Sequence, residues 1–185
     1  MSQMLQKVIA KKCYNPNMKN LLTRRVFIAS TLISGTALML LPQGAKTAIK
    51  IEPFKVIASV QEVLLPKNGD APSASEFGAT RYLAVVSTHS SFVPSDLQFL
   101  NEGAKKLMKQ EPEFLSMSFE KQEKVVKEFY ETRLGSRWLS LLLFYTLEAL
   151  LSDPIYGGNK DEIGWKWLGH NSGQPQPKKP FGELV

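Results

Sequence analysis

Apolar side chains between residues 52 and 151 recur at three- and four-residue spacing, and clusters of turn-forming residues interrupt them. That spacing puts one apolar stripe on each helix and predicts an all-α chain. Glu52-Pro53 opens a first helix with Ile57, Val60 and Leu64 on one face. The segment Pro66-Lys67-Asn68-Gly69-Asp70-Ala71-Pro72 stops it, because it joins two prolines to an Asn-Gly turn. Ser73 and Ser75 are candidate caps for a second helix carrying Phe77, Tyr82, Leu83 and Val86. Residues 87–94 read as a loop. Ser95 is the expected cap of a third helix, whose inner face holds Leu97, Leu100, Ala104, Leu107 and Met108. Ser118 is the expected cap of a fourth, striped by Phe119, Val126, Phe129 and Tyr130, with a break at Arg133 and Gly135.

The fifth predicted helix, Trp138 to Leu151, is apolar almost all round. Such a helix is either central to a bundle or embedded in a membrane. Its length falls short of the ~20 residues that a spanning helix needs, which favours the buried centre of a small bundle. Thr146 and Glu148 interrupt it. A carboxylate there either stays partly exposed or accepts hydrogen bonds from the following loop. Catalysis by Glu148 would need a second group at matched distance, and the sequence presents no obvious one.

The first 51 residues are of another kind. They hold eight lysines and arginines and no acid, whereas the rest of the chain holds 15 basic and 17 acidic residues. The net charge of +6 is thus a property of the leader. No basic patch with interleaved aromatics remains outside it, so nucleic acid is not an expected partner. Within the leader, Arg24 and Arg25 stand directly before an uncharged run from Val26 to Leu41, which Pro42 ends. A basic segment ahead of an apolar block is the layout of an export signal. Twin arginines followed by Phe27 resemble the signal read by the twin-arginine translocase, which carries folded proteins. The expected location is the periplasm or the periplasmic face of the inner membrane. Ala45 and Ala48 each supply only one of the two small residues that a signal peptidase wants, so an uncleaved anchor stays open beside a cleaved leader.

The only cysteine, Cys13, lies in that leader. The rest of the chain closes no disulfide and must be held by a packed core. There is no Cys-x-x-Cys-His for haem attachment, no metal-ligand spacing, no Gly-x-Gly-x-x-Gly and no nucleophile elbow. His89 and His170 are isolated. No catalytic residue, no metal site and no cofactor is therefore expected in this chain.

The strongest motif follows the central helix: Ser152-Asp153-Pro154-Ile155-Tyr156-Gly157-Gly158-Asn159, then Asp161, Gly164-Trp165 and Trp167. Asp153-Pro154 favours a turn, with Asp153 a structural carboxylate like Glu148. Gly157-Gly158-Asn159 suits positive φ or close backbone approach. Two readings of this loop stand side by side. Tyr156, Gly157, Gly158, Asn159 and Trp165 form a partner interface, or Trp165 anchors a self-contained turn on the central helix. Beyond it, residues 173–185 form a proline- and lysine-containing tail that should be extended.

Thr146-Leu147-Glu148 running into Ser-Asp-Pro-x-Tyr-Gly-Gly-Asn, with Gly164-Trp165 and Gly169, resembles the C-terminal signature of the gluconate 2-dehydrogenase subunit 3 family. Leu64-Leu65-Pro66 and Ala71-Pro72-Ser73-Ala74 match its early segment, and Gln122 its middle. Ala149 departs from it, standing where the family often has glycine. The resemblance implies a helical subunit 3 domain over residues 52–172, between the leader (1–51) and the tail. It implies a non-catalytic small subunit of a periplasm-facing dehydrogenase. In such complexes a large subunit carries FAD and oxidises gluconate or a related sugar acid, and a cytochrome c subunit bearing haem c takes the electrons. A reading of another class is a free-standing helical envelope protein, with the Tyr156-to-Trp167 loop lining a small-ligand pocket.

Overall fold

The helical periodicities become six α-helices in the computed structural model, which describes residues 48–181, with side chains from Pro53 onward. They are α1 (Ala48–Leu64), α2 (Ala79–Val86), α3 (Pro94–Gln110), α4 (Phe119–Tyr130), α5 (Arg133–Leu151) and α6 (Ile163–Leu168). Single 3₁₀ turns lie at Phe114–Ser116, Pro154–Tyr156 and Lys160–Glu162. No strand occurs among the described residues, and the all-α expectation holds. Arg24, Arg25, Phe27 and the apolar run behind them lie outside the described residues.

Several boundaries differ from the sequence reading, each for a local reason. Helix α1 begins at Ala48 and contains Pro53. The cost is one backbone bond that a proline nitrogen cannot donate. Ser73 does cap a turn, but not α2. Its backbone N–H donates to the Glu76 carboxylate at 2.7 Å and its hydroxyl accepts from the Glu76 N–H at 3.4 Å, a reciprocal capping box. Those bonds, with Lys67 3.0 Å away, hold the Glu76 carboxyl below the usual range. Gly78, at φ 79°, then turns the chain before α2 starts. Helix α3 opens with Pro94 as its first residue, which places Ser95 inside the first turn rather than at the cap.

The largest difference concerns α5. It starts at Arg133, because Thr132 caps it by accepting from the Gly135 N–H at 2.9 Å. Gly135 is not a breaker. It is buried where α4 ends, and a Cβ there would stand 1.9 Å from the Phe129 carbonyl oxygen. Of the described helices, α5 alone is long and apolar enough to cross a membrane, but half of that stretch is buried against the others. It forms the bundle's axis.

The main core joins α1 (Val56, Ile57, Val60), α3 (Leu100, Ala104, Leu107), α4 (Val126, Phe129) and α5 (Trp138, Leu139, Leu142). Trp138 is wholly buried. Its indole meets Phe129 edge-on at 5.8 Å and donates to the Leu100 carbonyl at 2.8 Å. Gln122 closes the α3–α4 connection by donating to the Phe114 carbonyl at 2.9 Å. A buried polar bridge ties three helices together. Gln61 of α1 accepts from Thr80 at 2.7 Å and donates to Thr146 of α5 at 3.2 Å. A smaller cluster of Ala74, Phe77, Tyr82, Ala149 and Leu150 supports the C-terminal loop.

Gly103 lets α3 approach the indole of Trp138, since a Cβ on it would fall 2.1 Å from that ring. Gly103→Ala is therefore expected to lower unfolding free energy by ~2–3 kcal/mol, the range for overpacking a filled core. Gly169→Ala has open space around it and should cost only the ~1 kcal/mol strain of a left-handed residue. Urea unfolding of both variants measures the difference.

Candidate functional site

The motif loop after α5 folds back onto the end of that helix. A helix C-terminus leaves its last carbonyls without intrahelical partners. Here the loop covers them in succession. The Glu148 carbonyl accepts from the Ser152 N–H at 2.7 Å. Gly158 lies so close that a Cβ would stand 2.4 Å from the Ala149 oxygen. Gly164 does the same at Leu150, at 2.1 Å. The Trp165 indole donates to the Leu151 carbonyl and the Asn159 amide to the Ser152 carbonyl, at 2.8 and 3.0 Å. Asn159 also accepts from the Gly164 N–H at 2.8 Å. It is fully buried and adopts φ 42°. Two glycines, one asparagine and one tryptophan thus build a single cap.

This placement sorts the residues singled out from sequence. Asn159, Gly158 and Trp165 face inward and brace the helix end, so they present little surface to a partner. Gly157, at φ 89°, packs against Val85 and Arg81 of α2. The Asp153 carboxylate accepts from the Ile155 N–H at 3.0 Å and caps the Pro154–Tyr156 3₁₀ turn. Glu148 does not bond to the following loop and stays partly exposed, the other of its two expected fates. Its carboxylate is turned across the groove to Tyr82 of α2, whose hydroxyl donates at 3.4 Å. The reason is its place on the α2-facing side of α5.

Of the motif, Ser152, Asp153 and Tyr156 open onto a cleft of about 690 Å³ between α2, the 87–93 loop and α5. Tyr82, Phe92, Phe144, Tyr145, Glu148 and Asp153 line it, with Phe181 of the tail at its mouth. Phe92 stacks on Tyr145 at 5.3 Å, and the Tyr145 hydroxyl donates to Asp96 at 2.8 Å. Burial, and then the charge and hydrogen bond of Glu148, push Tyr82 up to about 12. Burial, and then the bond to Asp96, push Tyr145 up as well. Burial raises Glu148 above the usual carboxylate range, only partly opposed by the Tyr82 hydroxyl. Both phenols therefore keep their protons near pH 7. They can donate hydrogen bonds or meet a cation.

The sequence reading missed this cleft. Phe144 and Glu148 lie at i and i+4, which puts them on one face of α5. That was the available signal, but Tyr82, His89 and Phe92 join them only through the tertiary fold. No group of three or more metal-ligating side chains occurs among the described residues.

Two outcomes follow. Trp165→Ala and Asn159→Ala should each destabilise the isolated subunit. The expected loss is ~3–5 kcal/mol for the tryptophan and ~1–3 kcal/mol for the asparagine, which leaves buried groups unpaired. Chemical denaturation measures both. For Glu148, the folded state holds its proton more tightly than the unfolded chain. Its contribution to stability is fully present below the unfolded value of 4.5 and is lost as pH rises through the raised folded value. Glu148→Gln keeps an acceptor for Tyr82 without the charge. It should melt above wild type at pH 7, with the gap closing below pH 4.5.

A family model described as gluconate 2-dehydrogenase subunit 3 matches residues 52–173. No curated protein and no solved structure matches the chain. The matched span holds α2 to α6, the cap and the cleft apart from Pro180 and Phe181 at its mouth, and takes in all of α1 but its first turn. The family is associated with a membrane-associated gluconate dehydrogenase complex. On this match over well more than half its length, the chain belongs to the gluconate 2-dehydrogenase subunit 3 family.

Proposed function

We propose that this chain is the non-catalytic small subunit and export partner of an FAD-dependent, gluconate 2-dehydrogenase-like complex. The flavin subunit oxidises a sugar acid on the periplasmic side, and a cytochrome c subunit with haem c passes the electrons on. The observation that carries the reading is the family match over residues 52–173. The chain's own chemistry supports it. Its motif residues Gly158, Asn159, Gly164 and Trp165 are spent on capping α5.

The twin arginines give the complex its address in this reading. A folded flavoprotein needs a route for folded cargo, and Arg24-Arg25-Val26-Phe27 ahead of an apolar run resembles that signal. Surface for docking is available at the C-terminal end of the bundle, where Trp167 and Leu168 of α6 are 45 % and 52 % exposed. Exposed tryptophan is enriched among residues that dominate interfaces.

Replacing both Arg24 and Arg25 by lysine should leave the chain and the flavin subunit together in the cytoplasm, as read by cell fractionation. Unchanged delivery of both would contradict the twin-arginine route. The mature chain purified alone should be colourless and inactive with gluconate and an artificial acceptor. Sugar-acid turnover by the chain alone would overturn the non-catalytic role.

A further inference from the structure

The cleft between α2 and α5 has a composition that the cap does not explain. Its walls are aromatic: Tyr82, Phe92, Phe144, Tyr145 and Tyr156. Phe144 stands 47 % exposed there, although it is a large apolar side chain on the bundle's axial helix. The Glu148 carboxylate sits among these rings, half-buried, and its one hydrogen bond is the long one from Tyr82. None of the ion pairs among the described residues involves it. The second lining carboxylate, Asp153, has no ion pair there either. Among the described residues, the only basic side chain lining the cleft is His89, and both its ring nitrogens are engaged, by Ser91 and by the Phe181 carbonyl. The described cleft therefore has acid and π-faces and no free cation to satisfy them.

Its rim also holds polypeptide backbone. The Phe181 N–H donates to the Tyr156 hydroxyl at 2.9 Å, and the Phe181 carbonyl accepts from His89. Both backbone polar groups of Phe181 are thus matched by side chains that line the cleft. The tail that they hold contributes no residue to either core cluster.

We propose that this cleft receives a basic side chain, arginine or lysine, presented by the flavin-bearing subunit. The proposal rests on the accessory-subunit reading for the identity of the partner, but not for the chemistry of the cleft. A guanidinium or ammonium among aromatic faces gains cation–π attraction, which grows when water is excluded. A carboxylate beside it then recovers, as an ion pair, what burial costs it. Arginine adds a planar fork that reads a carboxylate in two bonds. The volume suits a side chain with its flanking backbone, and falls in the range of ordinary ligand clefts of ~300–1,000 Å³.

The test has two arms on the full mature chain. In the first, acetyl-Gly-Arg-Gly-amide and acetyl-Gly-Glu-Gly-amide are titrated while NMR follows the cleft's tyrosine and phenylalanine ring signals. Selective shifts with the arginine peptide, absent in Glu148→Gln, are the expected result. Equal or no response to the two peptides overturns the proposal. A response that appears only once Lys178 and Lys179 are changed to serine also overturns it, because the chain's own tail is then the occupant. In the second arm, affinity for the flavin subunit is measured for wild type, Glu148→Gln and Glu148→Lys. A loss of about tenfold for Gln and complete loss for Lys is expected, with Glu148→Gln melting no lower than wild type at pH 7. That combination separates docking from a structural role. Wild-type affinity in both variants overturns the proposal. If wild type binds no flavoprotein while the first arm succeeds, the accessory-subunit reading fails and the cleft's cation chemistry stands.

Discussion

The carboxyl end of α5 sets the conditions for everything around it. The axial helix of a bundle must end inside the protein, and its last carbonyls must be satisfied there or cost ~1–3 kcal/mol apiece. Four consecutive residues, Ala149 to Ser152, meet the returning loop. Two meet the backbone of glycines that no other residue could replace without collision, and two meet donors from Trp165 and Asn159. Asn159 both gives and accepts, so one buried side chain fastens the helix end to the start of α6. The Gly157-Gly158-Asn159 and Gly164-Trp165 segments of the motif are parts of one joint.

The joint has consequences on the other side of the loop. Lys160 donates its backbone N–H to the Phe77 carbonyl at 3.2 Å, and a Cβ on Gly78 would lie 3.1 Å from the Gly157 oxygen. The loop is thereby pressed against the turn that leads into α2. This fixes α2 beside α5 and leaves Tyr156 facing away from the cap and into the cleft. The Gln61 bridge to Thr80 and Thr146 holds the same two helices from the α1 side. Glu148 and Tyr82 are therefore positioned by a rigid frame, and the energetic penalty of half-burying a carboxylate persists because neither helix can move away.

The sequence made the helices and their apolar stripes legible, because periodicity reports burial of one face. Val56 to Leu64, Leu100 to Leu107 and Val126 to Tyr130 are buried in the pattern that spacing predicts. Boundaries were less legible where tertiary contacts override local rules. Gly135 looks like a breaker but permits the α4–α5 crossing, and Ser73 caps a turn that Gly78 cuts short. The C-terminal motif was recognisable as a unit, yet its composition suits a docking patch and a helix cap equally well. Only the fold shows that Asn159 and Trp165 point inward while Tyr156 does not. The cleft was invisible for the same reason. Its carboxylates are on α5 and the loop behind it, its phenols are on α2, α5 and that loop, and its rim histidine lies 92 residues from the backbone that it holds.

Amide hydrogen exchange on the isolated mature chain tests most directly whether the motif is an internal cap. The N–H of Gly164 is buried in its bond to Asn159, and the loop's glycines lie against α5. Exchange of an amide in a cooperative unit proceeds through opening of that unit. Residues 157–166 should therefore exchange as slowly as the second half of α5, with no partner present, and Asn159→Ala should accelerate both segments together. Rapid exchange of residues 157–166 in the isolated chain, with slow exchange retained in α5, would contradict the cap and return the motif to the partner interface.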